Sequence, residues 1–161
     1  MVQTSTSILS PGMGNSDIGT GNTSIVVATT VRLSATADQV FSTLPAAYEK
    51  LGITVTTMVT KERMIANPDL RARARLGGIP LRRLFDCGGA SGDPNADTFQ
   101  LTISVASEVK DNGDGSSTLS TLLQANGRPV QFGGGDVRCS TTGELERMIE
   151  QQVKLKLASP N

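Results

Sequence analysis

The chain has 161 residues, with 15 Lys and Arg balanced by 15 Asp and Glu, and it contains no histidine and no tryptophan. That length fits one domain, whose core must be mainly aliphatic because aromatic residues make up only 3% of the chain. The even charge excludes long-range attraction of the whole molecule to nucleic acid or anionic lipid. Without histidine the usual general base near neutral pH is missing, so we expect a protein that is not an enzyme.

Positive charge is concentrated in one segment of the chain. Residues 61–83 contain seven basic residues against two acidic ones, whereas the remainder contains eight basic and thirteen acidic residues. The sequence therefore predicts a cationic segment on a faintly anionic body.

The beginning of the chain differs from the rest in composition. Residues 1–24 are rich in Ser, Thr, Gly and Asn, which predicts a flexible arm before a single domain at 25–157 and a short tail at 158–161. The arm has neither the basic region nor the apolar region of a signal peptide, and no window approaches the ~20 apolar residues of a membrane span. We expect either a cytosolic protein or a mature form from which a leader has been removed.

A helix with well-marked ends is predicted over 36–52. Thr36 and Gln39 have the spacing of a capping box, Gly52 is placed to end the helix, and apolar residues repeat at helical spacing between them. Pro45 is expected to kink or split this helix, because proline lacks an N–H and its ring clashes with the preceding turn.

The other elements are predicted from alternation and turn residues. Strands are predicted over 24–35, 53–60, 70–76, 98–110 and 116–130, and residues 63–67 either continue the second of these or start its partner. A hairpin loop is predicted at 111–115, and a closing helix begins where Thr141 and Glu144 have capping-box spacing. The order β-α-β-β-β-β-α predicts an α+β fold, with an antiparallel sheet packed against two helices in a helix-grip-like arrangement.

Cys87 and Cys139 are the only cysteines in the chain. Zinc usually needs four Cys or His ligands at short paired spacing, so these two do not predict a metal site. A C-x-x-C redox motif and an imidazole base for a cysteine nucleophile are both absent. Two inert buried thiols remain one interpretation. We favour a disulfide, because each cysteine lies beside a Gly-rich loop with little packing, and a persistent disulfide indicates an oxidising compartment.

The segment LRARARL at 70–76 alternates apolar residues with arginines, which is the period of a half-buried strand. The candidate partner-binding residues are its three arginines and the two that follow, namely Arg71, Arg73, Arg75, Arg82 and Arg83. They can serve as a docking face for an acidic protein surface or anionic head-groups. The alternative is a solvated sheet face whose arginines pair with neighbours such as Asp69 or Glu108. Nucleic acid is not expected, because no aromatic residue lies among the arginines to stack on bases.

Other motifs are excluded by their spacing. In DNGDGSSTL the third and fifth positions from Asp111 are glycines, so the pattern is not an EF-hand loop. The glycine clusters lack the spacing of phosphate-binding loops, and the carboxylates show no spacing that converges on a pocket. No catalytic residue, metal or cofactor is predicted.

Four stretches together resemble a group of small, uncharacterised bacterial secreted proteins: VFSTLPAAYEKLGI, LRARARLGGIPLRRLFDCG, GDPNADTFQLTISV and RCSTTGELE. The resemblance covers roughly residues 25–155. It implies an exported domain with both cysteines in matching places, which agrees with a disulfide, and it implies no known activity. The helix VFSTLPAAYEKLGI leading into strands is also similar in pattern to the helix-grip domains of lipoprotein accessory subunits in outer-membrane assembly machinery.

These observations predict a non-catalytic accessory or interaction subunit outside the cytoplasm, in the periplasm or beyond. Its expected partners are protein subunits of a larger envelope or membrane-embedded complex of respiratory, photosynthetic or assembly type. The alternative is a carrier of a small apolar ligand, which would need an apolar cavity of several hundred Å³ between helix and sheet.

Overall fold

A computed structural model describes residues 5–9, 26–90, 92–130 and 134–159 of the chain. Its helices are α1 (Ala37–Lys50), α2 (Leu81–Leu84) and α3 (Glu144–Ala158), with single 3-10 turns at Thr60–Glu62 and Asn95–Asp97. Its strands are β1 (Ser5–Leu9), β2 (Val26–Leu33), β3 (Thr57–Val59), β4 (Met64–Arg73), β5 (Arg75–Leu76), β6 (Ile79–Pro80), β7 (Phe85–Asp86), β8 (Gly89–Ala90), β9 (Asp93–Pro94), β10 (Gln100–Asp111), β11 (Ser117–Arg128) and β12 (Val137–Thr141).

The architecture is α+β, as predicted, and every strand pairing in the described residues is antiparallel. The main sheet has the order β1-β2-β11-β10-β4-β5-β6, with β3 beside the start of β4 and β12 beside the end of β11. Of the predicted arm at 1–24, residues 5–9 form β1, which pairs with β2. The rest of the predicted arm and the last two residues of the predicted tail lie outside the described residues.

Helix α1 begins where the sequence predicts. Thr36 Oγ1 accepts a hydrogen bond from Gln39 N at 3.2 Å, and Gln39 Oε1 accepts one from Thr36 N at 3.0 Å, which completes the capping box. Gly52 follows the helix with a left-handed φ of 77°. Pro45 does not split the helix, which runs from residue 37 to residue 50 as one element. Packing of its buried face against the sheet therefore outweighs the one backbone hydrogen bond that proline removes.

The long central hairpin also follows the prediction. Strands β10 and β11 pair in register over twelve residues each, from Gln100 opposite Arg128 to Asp111 opposite Ser117. The turn at 112–116 is held by its own side chains: Asp111 Oδ1 accepts from Gly113 N at 2.8 Å, and Asn112 Nδ2 donates to Ser116 Oγ at 3.0 Å. Strand β4 pairs with one side of this hairpin, and strands β2 and β12 pair with the other.

Strand β4 contains a bulge that decides which side its arginines face. Asn67 and Leu70 of β4 pair with Val105 and Ile103 of β10. The β4 residues are three positions apart and their β10 partners only two, so β4 has one extra residue here. The extra residue lies next to Pro68, which has no N–H to give to the sheet and is tolerated at a bulge. Because the alternation shifts by one, odd positions are buried before the bulge and even positions after it.

One face of the sheet is covered by helices. Helices α1 and α3 pack against each other, and α1 packs against β4, β10 and β11. The side chains between the layers are fully buried, with no exposed area at Val40, Leu44, Tyr48, Ile65, Leu101, Ile103, Val105, Ile149 and Val153.

A small polar network lies within this core. Tyr48 Oη donates to Ser107 Oγ at 2.7 Å, and Ser107 Oγ lies 3.1 Å from Thr121 Oγ1. Burial raises the pKa of the Tyr48 phenol, and the bond to Ser107 opposes this only in part. The three hydroxyls satisfy one another and tie α1 to the middle of the central hairpin.

The two cysteines form the predicted disulfide, which closes a sequence separation of 52 residues. It joins β12 to the residue after β7, and both sulfurs are buried. Beside it, Ser140 and Thr141 pair with Asp86 and Phe85. The disulfide thus holds the segment around α2 against the edge of the sheet, where only two residue pairs connect β7 and β12.

The structure corrects four details of the prediction. The described residues contain three helices instead of two, because LRRL forms the single-turn helix α2. Strand β3 covers only three of the eight residues predicted at 53–60, and loop 88–97 contains the short pair β8 and β9. The segment 70–76 is not one strand, because Ala74 has a left-handed φ of 64° between β4 and β5.

The predicted capping box of the last helix is also wrong. Helix α3 begins after Gly143, whose φ is 87°, and no side chain caps it. Thr141 Oγ1 instead lies 2.9 Å from both carboxylate oxygens of Glu146, a buried residue that is 5% exposed. Burial raises the pKa of Glu146, opposed in part by its own backbone N–H and by Thr141. The neighbouring Arg147 pairs with Glu144.

Glu146 is expected to make stability depend on pH. The pKa of Glu146 is higher in the folded than in the unfolded protein, so the folded state binds the proton more tightly. The folded state therefore loses stability as pH rises from the unfolded-state pKa through the folded-state pKa. Glu146→Gln keeps an acceptor for Thr141 and removes the buried charge. We expect this variant to be more stable at pH 7, with the gain vanishing below the unfolded value of about 4.3. Urea unfolding from pH 3 to pH 8 measures this. Glu49→Gln, at an exposed site, is the control. If the free energies of unfolding of the wild type and of Glu146→Gln change in parallel with pH, this prediction is wrong.

Within the described ranges, no helix combines the length and the apolar character that crossing a membrane requires.

Candidate interaction face

The sheet surface opposite the helices carries a group of arginines. After the bulge in β4, Leu70 is buried while Arg71 and Arg73 point to solvent. The same alternation exposes Arg128 at the end of β11 and Arg138 in β12. We call this surface the arginine face and define it by those four arginines with three polar residues between them: Arg71, Arg73, Arg128, Arg138, Gln100, Thr102 and Asn126.

Strand register aligns these side chains in two rows. In the first row Arg71 pairs with Thr102, Thr102 with Asn126, and Asn126 with Arg138, so four strands each contribute one residue. Residues directly opposite each other in antiparallel strands point to the same side of the sheet. An arginine therefore stands at each end of the row, with a hydroxyl and an amide between them.

The second row lies one step further along the strands. Arg73 pairs with Gln100, and Gln100 pairs with Arg128. Successive residues on one side of a strand are about 7 Å apart. The two rows therefore lie side by side, about 7 Å apart along the strand direction. The amide of Gln100 again separates two guanidinium groups.

Two carboxylates stand beside this patch. Arg128 Nε lies 2.9 Å from Asp136 Oδ1, and Arg71 Nε lies 3.6 Å from Asp69 Oδ1. Both pairs are exposed, and such pairs contribute between 0 and about 1 kcal/mol. Arg73 makes no ion pair with any residue that the structure describes.

A shallow depression of about 290 Å³ lies in the arginine face, lined by Arg71, Gln100, Thr102, Asn126, Gly127, Arg128 and Asp136. The side chains of Gln100, Thr102 and Asn126 are exposed and make no hydrogen bond within the described protein. Their donors and acceptors are available to an outside group.

The five sequence-predicted arginines do not all come together. Arg71 and Arg73 lie on the arginine face. Arg75 lies beyond it in β5, and its Nη1 donates to Gly78 O at 3.2 Å. Arg82 and Arg83 lie on α2, which packs beside α3, and they face Asp97 and Glu144 at 3.5 Å and 3.6 Å. The structure thus separates the predicted group into three places.

Sequence reasoning missed Arg128 and Arg138. The hairpin predicted with loop 111–115 pairs Lys110 with Ser116 and so places Arg128 opposite Thr98, two residues from its observed partner Gln100. A signal for the side of the sheet that Arg128 faces therefore existed, but the predicted register was shifted. No local signal paired β12 with β11. Arg138 reaches the arginine face because Cys139, the next residue, points to the opposite side and is bound there to Cys87.

The side chains that pack between α1 and the sheet are buried, among them Val40, Leu44 and Tyr48. Two further depressions, of about 530 Å³ and 420 Å³, lie outside the core beside the ends of α1 and α3. Their linings mix lysine, glutamine and serine with leucine and alanine. They are surface grooves between two helices.

Among the described residues no three His, Cys, Asp or Glu side chains are grouped so as to hold a metal ion. Comparison of the chain with family models, with curated proteins and with solved structures found no match.

Proposed function

We propose that this protein is a non-catalytic accessory subunit outside the cytoplasm, which docks on other protein subunits of an envelope or membrane-embedded complex through the arginine face. The observation that carries the proposal is the row Arg71–Thr102–Asn126–Arg138 on the surface opposite the helices. A sheet surface that carries four arginines with hydroxyl and amide groups between them suits association with a partner of opposite charge.

The disulfide supports the location. Disulfides persist in secreted and periplasmic proteins and are rare in the cytosol, where thiols are kept reduced. The Cys87–Cys139 bond closes a long loop and is buried, as a structural disulfide is. The resemblance to exported bacterial proteins agrees with an oxidising compartment and remains part of the proposal.

The placement of the titratable groups supports a role without catalysis. The two buried groups with a raised pKa are Tyr48 in the core and Glu146 under the first turn of α3. Tyr48 Oη is bonded to Ser107, and the Glu146 carboxylate is bonded to Thr141. Each side chain serves the packing of a helix, and neither lines the depression in the arginine face.

Replacing Arg71, Arg73 and Arg128 together by Glu is expected to abolish co-purification of the partner complex from native membranes. The change converts an attractive face into a repulsive one, and like charges across an interface cost several kcal/mol. Pull-down followed by mass spectrometry, without reductant, measures the partner and the state of the cysteines in one experiment.

The matched control is Lys50→Glu, Lys61→Glu and Lys110→Glu, which changes the net charge equally at exposed sites away from the arginine face. A second variant, with the three arginines changed to Gln, separates loss of attraction from any effect of repulsion on folding. Unchanged co-purification of both arginine variants, with native circular dichroism, would remove this face from the proposed function.

A further inference from the structure

We infer that the outer edge of β1 is a self-association surface, on which β1 of a second copy of this chain pairs in antiparallel orientation. This inference goes beyond the proposed function and does not depend on the arginine face.

Strand β1 is the last strand at one end of the main sheet. Its five residues pair with β2, from Ser5 opposite Thr30 to Leu9 opposite Val26, and no described residue pairs with its other side. A strand in this position presents a row of unpaired N–H and C=O groups. The outer edge of β1 therefore offers main-chain donors and acceptors to another extended chain.

The opposite end of the sheet is protected against such pairing. Strands β5 and β6 have two residues each, and β3 has three. Arg75 adds a charge to this end, and Pro80 has no N–H to offer. Ala74 interrupts the strands with a left-handed φ of 64°. Short strands, charges, prolines and irregular backbone keep sheet edges from pairing with other chains.

Strand β1 has none of these protections. Its sequence, STSIL, contains no charged residue, no proline and no glycine, and it is longer than β3, β5 or β6. Because natural proteins protect the sheet edges that must stay unpaired, the contrast between the two ends of one sheet indicates that the β1 edge is covered by another strand.

The composition of β1 suits a second copy of itself. Two identical antiparallel strands that pair around a twofold axis centred on Ser7 place the two Ser7 residues opposite each other. Ser5 then lies opposite Leu9, and the residues between them pair as well. Like charges directly opposite each other would oppose association, and a strand without charged residues brings none.

Pairing of this kind continues the sheet through both copies. Residues directly opposite each other in antiparallel strands lie on the same side of a sheet. The helices of both copies therefore cover one side of the joined sheet, and the two arginine faces lie on the other. The contact involves few residues, so we expect a weak, reversible dimer.

Cysteine cross-linking of the full chain, with the native disulfide intact, tests the register. In Ser7→Cys the two new thiols occupy opposite positions, whose Cα atoms are about 4.5–5.5 Å apart in an antiparallel pair and within reach of a disulfide. In the matched control Ser5→Cys they are four residues apart along the strands, or about 14 Å, which is beyond that reach. We expect mild oxidation to produce the covalent dimer of Ser7→Cys at least about tenfold faster, measured by non-reducing gel electrophoresis.

Sedimentation equilibrium measures association without a cross-link. The wild-type protein, studied from about 5 µM to about 500 µM, is expected to shift from monomer to dimer. Ser7→Lys places like charges opposite each other and should weaken the dimer about fivefold or more. Ser42→Lys adds the same charge at an exposed position of α1 and should leave association unchanged. Circular dichroism checks that each variant is folded.

A wild-type protein that stays monomeric over this range overturns the inference. Equal cross-linking of the two cysteine variants, or equal association of the wild type and Ser7→Lys, does so as well. If the purified protein is monomeric but Ser7→Lys abolishes capture of a partner, the edge binds a strand of that partner and the inference fails. These measurements on the purified protein leave every arginine unchanged, so their failure is distinct from failure of the proposed function.

Discussion

Reduction of the Cys87–Cys139 disulfide is expected to lower the free energy of unfolding by about 4 kcal/mol. The closed loop spans 52 residues, and the chain-entropy model assigns that value to the unfolded-state freedom which such a crosslink removes. A loss of this size is a large fraction of the total stability of a small domain. Urea unfolding of the same wild-type protein, oxidised and then fully reduced, measures it without introducing a mutation.

The reduced protein also shows where the crosslink acts. Two residue pairs connect β7 to β12, and Thr142 adds hydrogen bonds to Arg83 O at 2.7 Å and to Leu84 O at 3.0 Å. We expect hydrogen exchange to accelerate first in the segment from α2 to residue 97, before the central hairpin. An unchanged unfolding midpoint, with both thiols reactive, would show that packing alone holds this segment.

Alkylation of freshly isolated, unfolded protein tests the compartment separately. Protection of both sulfurs agrees with an extracytoplasmic location, because cytosolic thiols are kept reduced. Full labelling of both would leave the fold as described but would remove the main support for the proposed location.

The parts of the fold that were predictable are those encoded by neighbouring residues. The capping box of α1 involves residues three apart, and the turn of the central hairpin is built from consecutive Asp, Asn and Gly residues. The alternation in β10 and β11 is long enough to fix which side is buried. In such segments local chemistry and global packing favour the same structure.

The parts that were wrong depend on distant contacts. Helix α2 has only four residues, too few for a periodic pattern, and it forms where Thr142, between β12 and α3, bonds to its backbone. Thr141 had the spacing of a cap, but the helix begins two residues later, after Gly143, and the Thr141 hydroxyl instead donates to Glu146 and accepts from Gly143 N. The side of β4 on which the arginines lie follows from the bulge after Asn67, which the alternation of 70–76 could not reveal.

The candidate site was predictable only in part for the same reason. Arg71 and Arg73 were identified from their own strand. Arg138 joins them through two long-range pairings and the disulfide, and Arg82 and Arg83 leave the group because α2 turns the chain toward α3. A cationic stretch in a sequence thus identifies candidate residues, while the strand register decides which of them share a surface.

The second large effect is expected at the contact between the end of α1 and the turn that links β5 to β6. Gly77→Ala should destabilise the protein more than Gly78→Ala, although both residues have left-handed φ values, 58° and 82°. The shared backbone strain is about 1–2 kcal/mol. A Cβ on Gly77 would lie 2.4 Å from Leu51 O, whereas a Cβ on Gly78 would meet nothing within 4 Å. The overlap adds about 1–3 kcal/mol, as overpacking does elsewhere.

The comparison of the two alanine variants isolates the contact, because backbone strain is common to both. Leu51 cannot move away freely, since its own N–H bonds to Tyr48 O at 3.0 Å and its side chain is buried. Urea midpoints at constant m-value measure the difference. Equal midpoints would mean that α1 and this turn are not in contact in solution.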